Sequence, residues 1–195
     1  MSDVETFAKV VWGNRIERSE TISGSGSTME NTVNIRRELP ELFKKYGVSS
    51  IFDAPCGDGN WISQTRLGVL YAGGDLVPAY VSSAVSKGLP ATEFDIRSQP
   101  FPDVDLWLCR ACWYHLPISH IQLSIDNWLN SSIKYLLVTS HVESSGVRDI
   151  QTGEFRPLNL KDYDYFGLNP PIDSVPDVTY GGYTEEMLLF ENPNT

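Results

Sequence analysis

Two acids and two glycines carry the most legible chemistry in this chain. Ser50-Ile51-Phe52-Asp53 is a short apolar run that ends on a carboxylate, and Ala54-Pro55-Cys56 then leads to Gly57 and Gly59, with Trp61 just beyond. A strand that feeds a glycine-containing turn at the start of a helical segment lets backbone approach a nucleotide closely. Leu70-Tyr71-Ala72-Gly73-Gly74-Asp75 repeats the theme, and its acid falls 18 residues after Gly57. An acid at that distance, at the end of the next strand, is placed to accept hydrogen bonds from ribose hydroxyls. The two halves in register point to a nucleoside-containing cofactor. A dinucleotide fits less well, because the third glycine of Gly-x-Gly-x-x-Gly is replaced by Ile62.

Titratable groups gather further along. His115 lies just past an apolar run ending at Cys109, where the cleft of an open α/β sheet is expected, and a neutral imidazole can take a proton near pH 7. His141 follows the next apolar run at the same edge, so both are candidate catalytic residues; the alternative for His115 is a packed ring hydrogen-bonded to backbone. His120, at a helix start, reads as a surface residue. Cys109, Cys112 and His115 have nearly ligand-like spacing, but structural zinc wants four fixed ligands and a strand turns the two cysteines apart, so no metal is expected. Arg110 is suited to grip a substrate carboxylate or phosphate with two parallel bonds, or else to pair with Asp53 or Asp149.

These residues need an ordered scaffold. Residues 1–22 read as a leading helix with Val4, Phe7, Val10 and Val11 on one face, followed by a Gly/Ser loop over 23–28. A helix to Tyr46 buries Ile35, Leu39, Leu42 and Phe43, with Pro40 able to kink or divide it and Gly47 closing it. Apolar strands then alternate with helices: strands at 50–53, 69–71, 91–95, 105–109 and 135–139, helices at 61–66, 77–86 and 119–129. Near-continuous apolar strands separated by helices imply a parallel sheet covered on both faces. Pro157, Pro170, Pro171 and Pro176 break up the tail before a last strand at 186–191.

The chain has 195 residues, 41% of them hydrophobic, enough for one domain with a core. A net charge of −10 repels phosphate backbones and disfavours nucleic acid; Arg36, Arg37, Lys44 and Lys45 read as a solvated helix face. Three cysteines are not a secreted disulfide framework, the acidic N-terminus has no leader pattern, and no apolar run spans a bilayer. The expectation is a cytoplasmic protein with no membrane partner.

The motifs resemble those of class I S-adenosylmethionine-dependent methyltransferases. Asp53-Ala54-Pro55-Cys56-Gly57-Asp58-Gly59 stands where that family has acid-x-Gly-x-Gly-x-Gly, with Pro55 in place of the first glycine. This departure is similar to a bacterial and phage-type subgroup with an Asp-Ala-Pro-Cys-Gly-Asp loop. That likeness extends to Gly24-Ser25-Gly26-Ser27-Thr28, Trp107-Leu108-Cys109-Arg110, His115-Leu116 and Phe155-Arg156-Pro157-Leu158-Asn159-Leu160. It implies a Rossmann-like α/β fold: a mostly parallel seven-stranded sheet with helices on both faces and an antiparallel last strand. Residues 1–47 would supply helices and a lid, 48–142 the cofactor-binding core, and 143–195 the substrate side and closing strand.

The resemblance also assigns roles. S-adenosyl-L-methionine would be held by Asp53, Ala54, Pro55, Cys56, Gly57, Gly59 and Trp61, with Asp75 and Leu76 at the ribose, Asp95 and Ile96 at the adenine, and Cys109 beside the methyl. Arg110, Arg148, Arg156 and Tyr163 would bind substrate, and residues 23–28 would close over the cofactor. A small-molecule or sugar-like acceptor is expected, since Arg110-Ala111-Cys112-Trp113 stands where nucleic-acid enzymes of this fold carry Asn/Asp-Pro-Pro-Tyr/Phe. Alternatives are a protein that cleaves the cofactor and a non-catalytic binding or regulatory module.

Overall fold

A computed structural model describes residues 20–143, 147–161 and 163–195. The expected leading helix falls outside these apart from residues 20–22, which are not helical, and the side chain of Tyr163 is likewise not described.

Helix α1 (Val33–Tyr46) forms because Ile35, Leu39, Leu42 and Phe43 recur at helical spacing, and all four are buried. It runs through Pro40 without dividing, and stops at Gly47, whose φ of 67° is left-handed. Lys44 and Lys45 sit in its last turn, where the helix dipole favours cations.

Strands β1 (Ser50–Asp53), β2 (Leu70–Asp75), β3 (Ala91–Glu93), β4 (Leu106–Cys109) and β5 (Tyr135–His141) pair in parallel, with helices α2 (Pro78–Ser86) and α3 (Ile118–Leu129) between them. The segment after Trp61, expected as a helix turn or two, is a single 3-10 turn over Ile62–Gln64. Strands β6 (Asp173–Tyr180) and β7 (Tyr183–Glu191) complete a seven-stranded sheet in the order β3-β2-β1-β4-β5-β7-β6, and β7 is antiparallel to both neighbours. The fold is thus the expected Rossmann-like one.

Alternation along the strands divides the core in two. Phe52, Trp107, Leu136, Val138, Leu188 and Phe190 face α3, with its Ile121, Ile125 and Trp128. Ile51, Leu106, Leu108, Leu137, Met187 and Leu189 face α1. Each buried side chain of this size contributes about 1.5–3 kcal/mol. Strand order reverses between β1 and β4, so the connections leaving their C-terminal ends run to opposite faces of the sheet and leave a crevice. Among the described residues no helix is long and apolar enough to cross a membrane.

Candidate functional site

The crevice is a cleft above the C-terminal ends of β1, β2 and β4. Its floor is the loop after β1. The Ala54–Pro55 peptide is cis. Ala54 N–H donates to the Leu108 carbonyl (2.9 Å), and its own carbonyl accepts from Trp107 Nε1 (2.7 Å). Cys56 N–H donates to the Gly74 carbonyl (2.9 Å). Gly73 permits this close approach, since a Cβ there would lie 3.1 Å from Cys56 Sγ and 2.9 Å from the Tyr71 hydroxyl. Gly57 has a left-handed φ of 57°, and its N–H donates to Asp75 Oδ2 (2.9 Å).

The segment before α1 closes one side of the cleft, where Ser23 and Ser27 line it. Asp58 holds that segment: its Oδ1 accepts from Thr21 and Ser23 hydroxyls (both 2.8 Å) and its Oδ2 from Ile22 N–H (3.1 Å). Lys87 Nζ adds an ion pair at 3.0 Å. Burial opposes ionisation of Asp58, but these partners outweigh it and hold its carboxyl below the usual range. Asn60 Nδ2 donates to the Ser27 carbonyl (2.9 Å), so residues 20–28 are strapped to the loop beneath.

Three acids line the cleft, and each differs in its partners. Asp53 is 2% exposed and, among the described residues, accepts one hydrogen bond, from the Tyr71 hydroxyl (3.1 Å). Burial pushes it up to about 8; Asp75 adds to this, while the Tyr71 hydroxyl and Arg110 act against it. Asp75 accepts from Gly57 and Val77 N–H groups (2.9 Å each), yet burial still raises it to about 6. Asp95 is gripped by Arg97 Nε and Nη2 (2.8 and 2.7 Å), which outweighs its partial burial and lowers it. Pro55, Cys56, Gly57, Trp61, Leu76 and Ile96 also line the cleft, together with Val77, Tyr80 and Phe94. Ala54, Gly59 and Cys109 lie behind the wall and shape it. Burial pushes the Cys56 and Cys109 thiols up. No group of three or more His, Cys, Asp or Glu among the described residues is arranged to hold a metal.

Beyond β4, Ala111 has φ 54°, unusual for a residue with a Cβ, and its N–H donates to Thr139 Oγ1 (2.9 Å). His115 lines the cleft. Its Nδ1 donates to the Glu154 carbonyl (2.9 Å), so in the neutral ring Nε2 is the acceptor nitrogen, and burial lowers the ring to about 4. His120 is half-buried against Arg97 instead of lying on the surface.

The other expected site residues are engaged by different partners or lie away from the cleft. Arg110 lines the cleft but is buried, and it pairs with neither Asp53 nor Asp149. Its Nε and Nη2 donate to Asp177 (2.8 and 3.0 Å), its Nη1 donates to the Gly26 carbonyl (2.8 Å), and it lies 5.7 Å over the Trp61 ring. His141 is outside the cleft lining, and its Nδ1 accepts from Leu158 N–H (3.1 Å). That bond leaves the proton of its neutral ring on Nε2, which removes the base expected of it. Arg148 is exposed and donates to the Phe155 carbonyl (3.3 Å). Arg156 is buried behind the wall, bonded to the Leu116 carbonyl (2.6 Å). Asp177 and Glu185, both near Arg110, were not legible as site residues; the acids of a proline-broken tail carry no spacing signal.

No protein-family model and no curated relative matches the chain. Solved structures do. The magnesium protoporphyrin IX methyltransferase of Synechocystis PCC 6803 with bound SAM aligns over 98% of each chain, at 15% identity and a TM-score of 0.66. An S-adenosylmethionine-dependent methyltransferase from Clostridium acetobutylicum ATCC 824 covers 80% of this chain and 89% of its own, at 14% identity and 0.58. Human N-acetylserotonin methyltransferase in complex with SAM covers 80% of this chain and 51% of its own, at 15% and 0.58. The chain has the fold of these methyltransferases. At such identities the likeness concerns the fold, and the chemistry rests on the residues of the cleft.

Proposed function

We propose that this protein binds S-adenosyl-L-methionine in the cleft and is a methyltransferase for a small-molecule or sugar-like acceptor, of the bacterial and phage-type subgroup that the loop Asp53–Asp58 resembles. One observation carries the reading. Among the described residues, Asp53 is a buried carboxyl at the cleft with a single hydroxyl partner and no ion pair. Such a group is held largely protonated until a cation arrives, and the cofactor brings two positive groups, its ammonium and its sulfonium.

The residues present fit that group. Asp53 would hold positive charge, and Pro55, Cys56 and Gly57 would support the methionine portion. Asp75, oriented by two backbone N–H groups, keeps lone pairs for the ribose hydroxyls. Leu76, Ile96 and Phe94 give an apolar slot for the adenine, and Asp95, fixed by Arg97, sits at its rim. Ser23 and Ser27 cover the site from the strap. When bound, the cofactor supplies an electrophilic methyl group. The protein's share is to hold the acceptor in line, exclude water and accept any proton released. His115, which lines the cleft, is the residue proposed for the last role. The net charge of −10 favours a small acceptor over a phosphate backbone.

Calorimetry tests this. S-adenosylmethionine and its thioether product should both bind, and Asp53→Asn and Asp75→Asn should each weaken binding by about 10–100-fold, the worth of one charge-assisted hydrogen bond, with circular dichroism unchanged. A folded protein that takes up neither compound, or variants that bind as well as the original, would overturn the proposal.

A further inference from the structure

Helix α2 buries Tyr80 and Ala84, one turn apart on the same face. That face lies against the loop after β1: a Cβ at Gly59, where φ is a left-handed 68°, would come within 3.2 Å of the Ala84 Cβ. The Tyr80 ring belongs to neither core and lines the cleft instead. Tyr80 is 9% exposed, yet its hydroxyl makes no hydrogen bond among the described residues. Burial, with Asp75 and Asp58 adding to it, pushes the phenol up, so it keeps its proton and stays a donor. The same turn fixes Asp75. Val77 N–H donates to Asp75 Oδ1 (2.9 Å), and the Val77 carbonyl accepts from Tyr80 N–H (3.0 Å). Pro78 begins the helix with its φ already set. One rigid turn thus presents both a carboxylate and a phenol to the cleft.

A phenol unbonded in a largely buried place forgoes a hydrogen bond that a ligand can supply. The acids beside it decide which ligand group fits. A carboxylate or phosphate would be repelled by Asp75 and Asp58. An ammonium could pair with Asp75 but has no lone pair for the Tyr80 proton. A hydroxyl can donate to the carboxylate or accept from the phenol, and two neighbouring hydroxyls do both at once. We propose that Tyr80 is a ribose-binding residue of this cleft: its hydroxyl donates to one oxygen of the cofactor's ribose diol while the neighbouring hydroxyl donates to Asp75. The pair makes the site select ribose over deoxyribose, because a missing hydroxyl strands one of two largely buried partners. This rests on the cofactor reading above and adds to it a residue and a specificity.

S-adenosylhomocysteine, its 2′-deoxy and 3′-deoxy analogues, and adenosine are the probes, titrated by calorimetry into the original protein and into Tyr80→Phe. The original should bind each deoxy analogue at least about tenfold more weakly than S-adenosylhomocysteine, the worth of one hydrogen bond in such a site. Tyr80→Phe keeps the ring and should bind S-adenosylhomocysteine about tenfold more weakly. It should bind one of the two deoxy analogues as well as the original does, since that analogue lacks the oxygen Tyr80 reaches. Undiminished S-adenosylhomocysteine binding by Tyr80→Phe, as expected of a ring that only packs, would overturn the proposal, and so would an equal loss for all three compounds. A deoxy analogue that the original binds as tightly as the parent would do the same, and this comparison decides even if Tyr80→Phe fails to fold. Adenosine separates the two readings. If the original binds adenosine but not S-adenosylhomocysteine, and Tyr80→Phe weakens adenosine about tenfold, the ribose site stands and the methyltransferase reading falls. A folded protein that binds none of the four overturns both.

Discussion

Asp53, Asp75 and Glu185 share one condition: each is buried near another acid and each is raised, to about 8, 6 and 7. In the folded protein they keep protons that the unfolded chain releases near pH 4. The folded state therefore binds more protons across that window, and stability falls as pH rises from about 4 towards 8. Asp53→Asn removes the largest of these effects while leaving an acceptor for the Tyr71 hydroxyl. It should flatten the decline and melt higher than the original at pH 8, as read by thermal denaturation across pH. An unchanged pH profile would mean that Asp53 is ionised and matched in the folded state. The residue that lowers its ligand-free cost is thus the one that removes the proposed cation site, a stability–function conflict typical of binding sites.

At the scale of elements, the strap over residues 20–28 is the part whose attachment is most concentrated. Thr21, Ile22 and Ser23 all bond to one side chain, Asp58, which Lys87 also holds. Asp58→Ala removes these bonds together while the sheet and α1 keep their cores. It should make residues 20–28 the preferred site of limited proteolysis and weaken S-adenosylmethionine binding by about tenfold or more, with the global urea midpoint little changed. A variant as protected as the original would show that the strap is fixed by Arg110 and Asn60 instead. The β6 edge shows how an element aims a residue. Its pairing with β7 slips between Pro176 and Thr179, and Asp177 lies in that irregular stretch, turned inward onto Arg110. Proline is tolerated there because an edge strand has an unpaired side.

Across the whole molecule, the Arg110–Asp177 pair joins what the chain keeps far apart. It ties the end of β4 to the edge strand β6, and through the Gly26 carbonyl to the strap. Both partners are buried, so removing one leaves the other uncompensated. Asp177→Leu should cost about 3–5 kcal/mol in urea denaturation, and Arg110→Met a similar amount. The double variant should recover much of that loss, because a buried pair replaced by apolar groups removes both desolvation penalties. A double variant as unstable as the sum of the singles would show that the pair's bonds to the strap and to Trp61 outweigh its desolvation.

The alternation of apolar strands with helices, the Asp-to-glycine loop and the acid at the end of β2 were determined by the sequence alone, because these signals are local: side-chain period, turn chemistry and spacing within a single βαβ unit. The parallel α/β class follows from them, whereas the residues proposed to line the cofactor side came from the family resemblance. Strand β6 was hidden by Pro176 within it and by Pro170 and Pro171 just before it, and the turn after Trp61 stays short, with Trp61 and Ile62 drawn into the α1-side core. Only the tertiary structure decided who partners the buried charges. Arg110 meets Asp177, 67 residues away, and His141 faces Glu185 across a strand pair. Those contacts depend on sheet order, register and a slipped edge, and no periodicity in the chain encodes them. The tautomers of His115 and His141 were settled in the same way, by backbone groups of the 154–158 segment that reach them only in the folded protein.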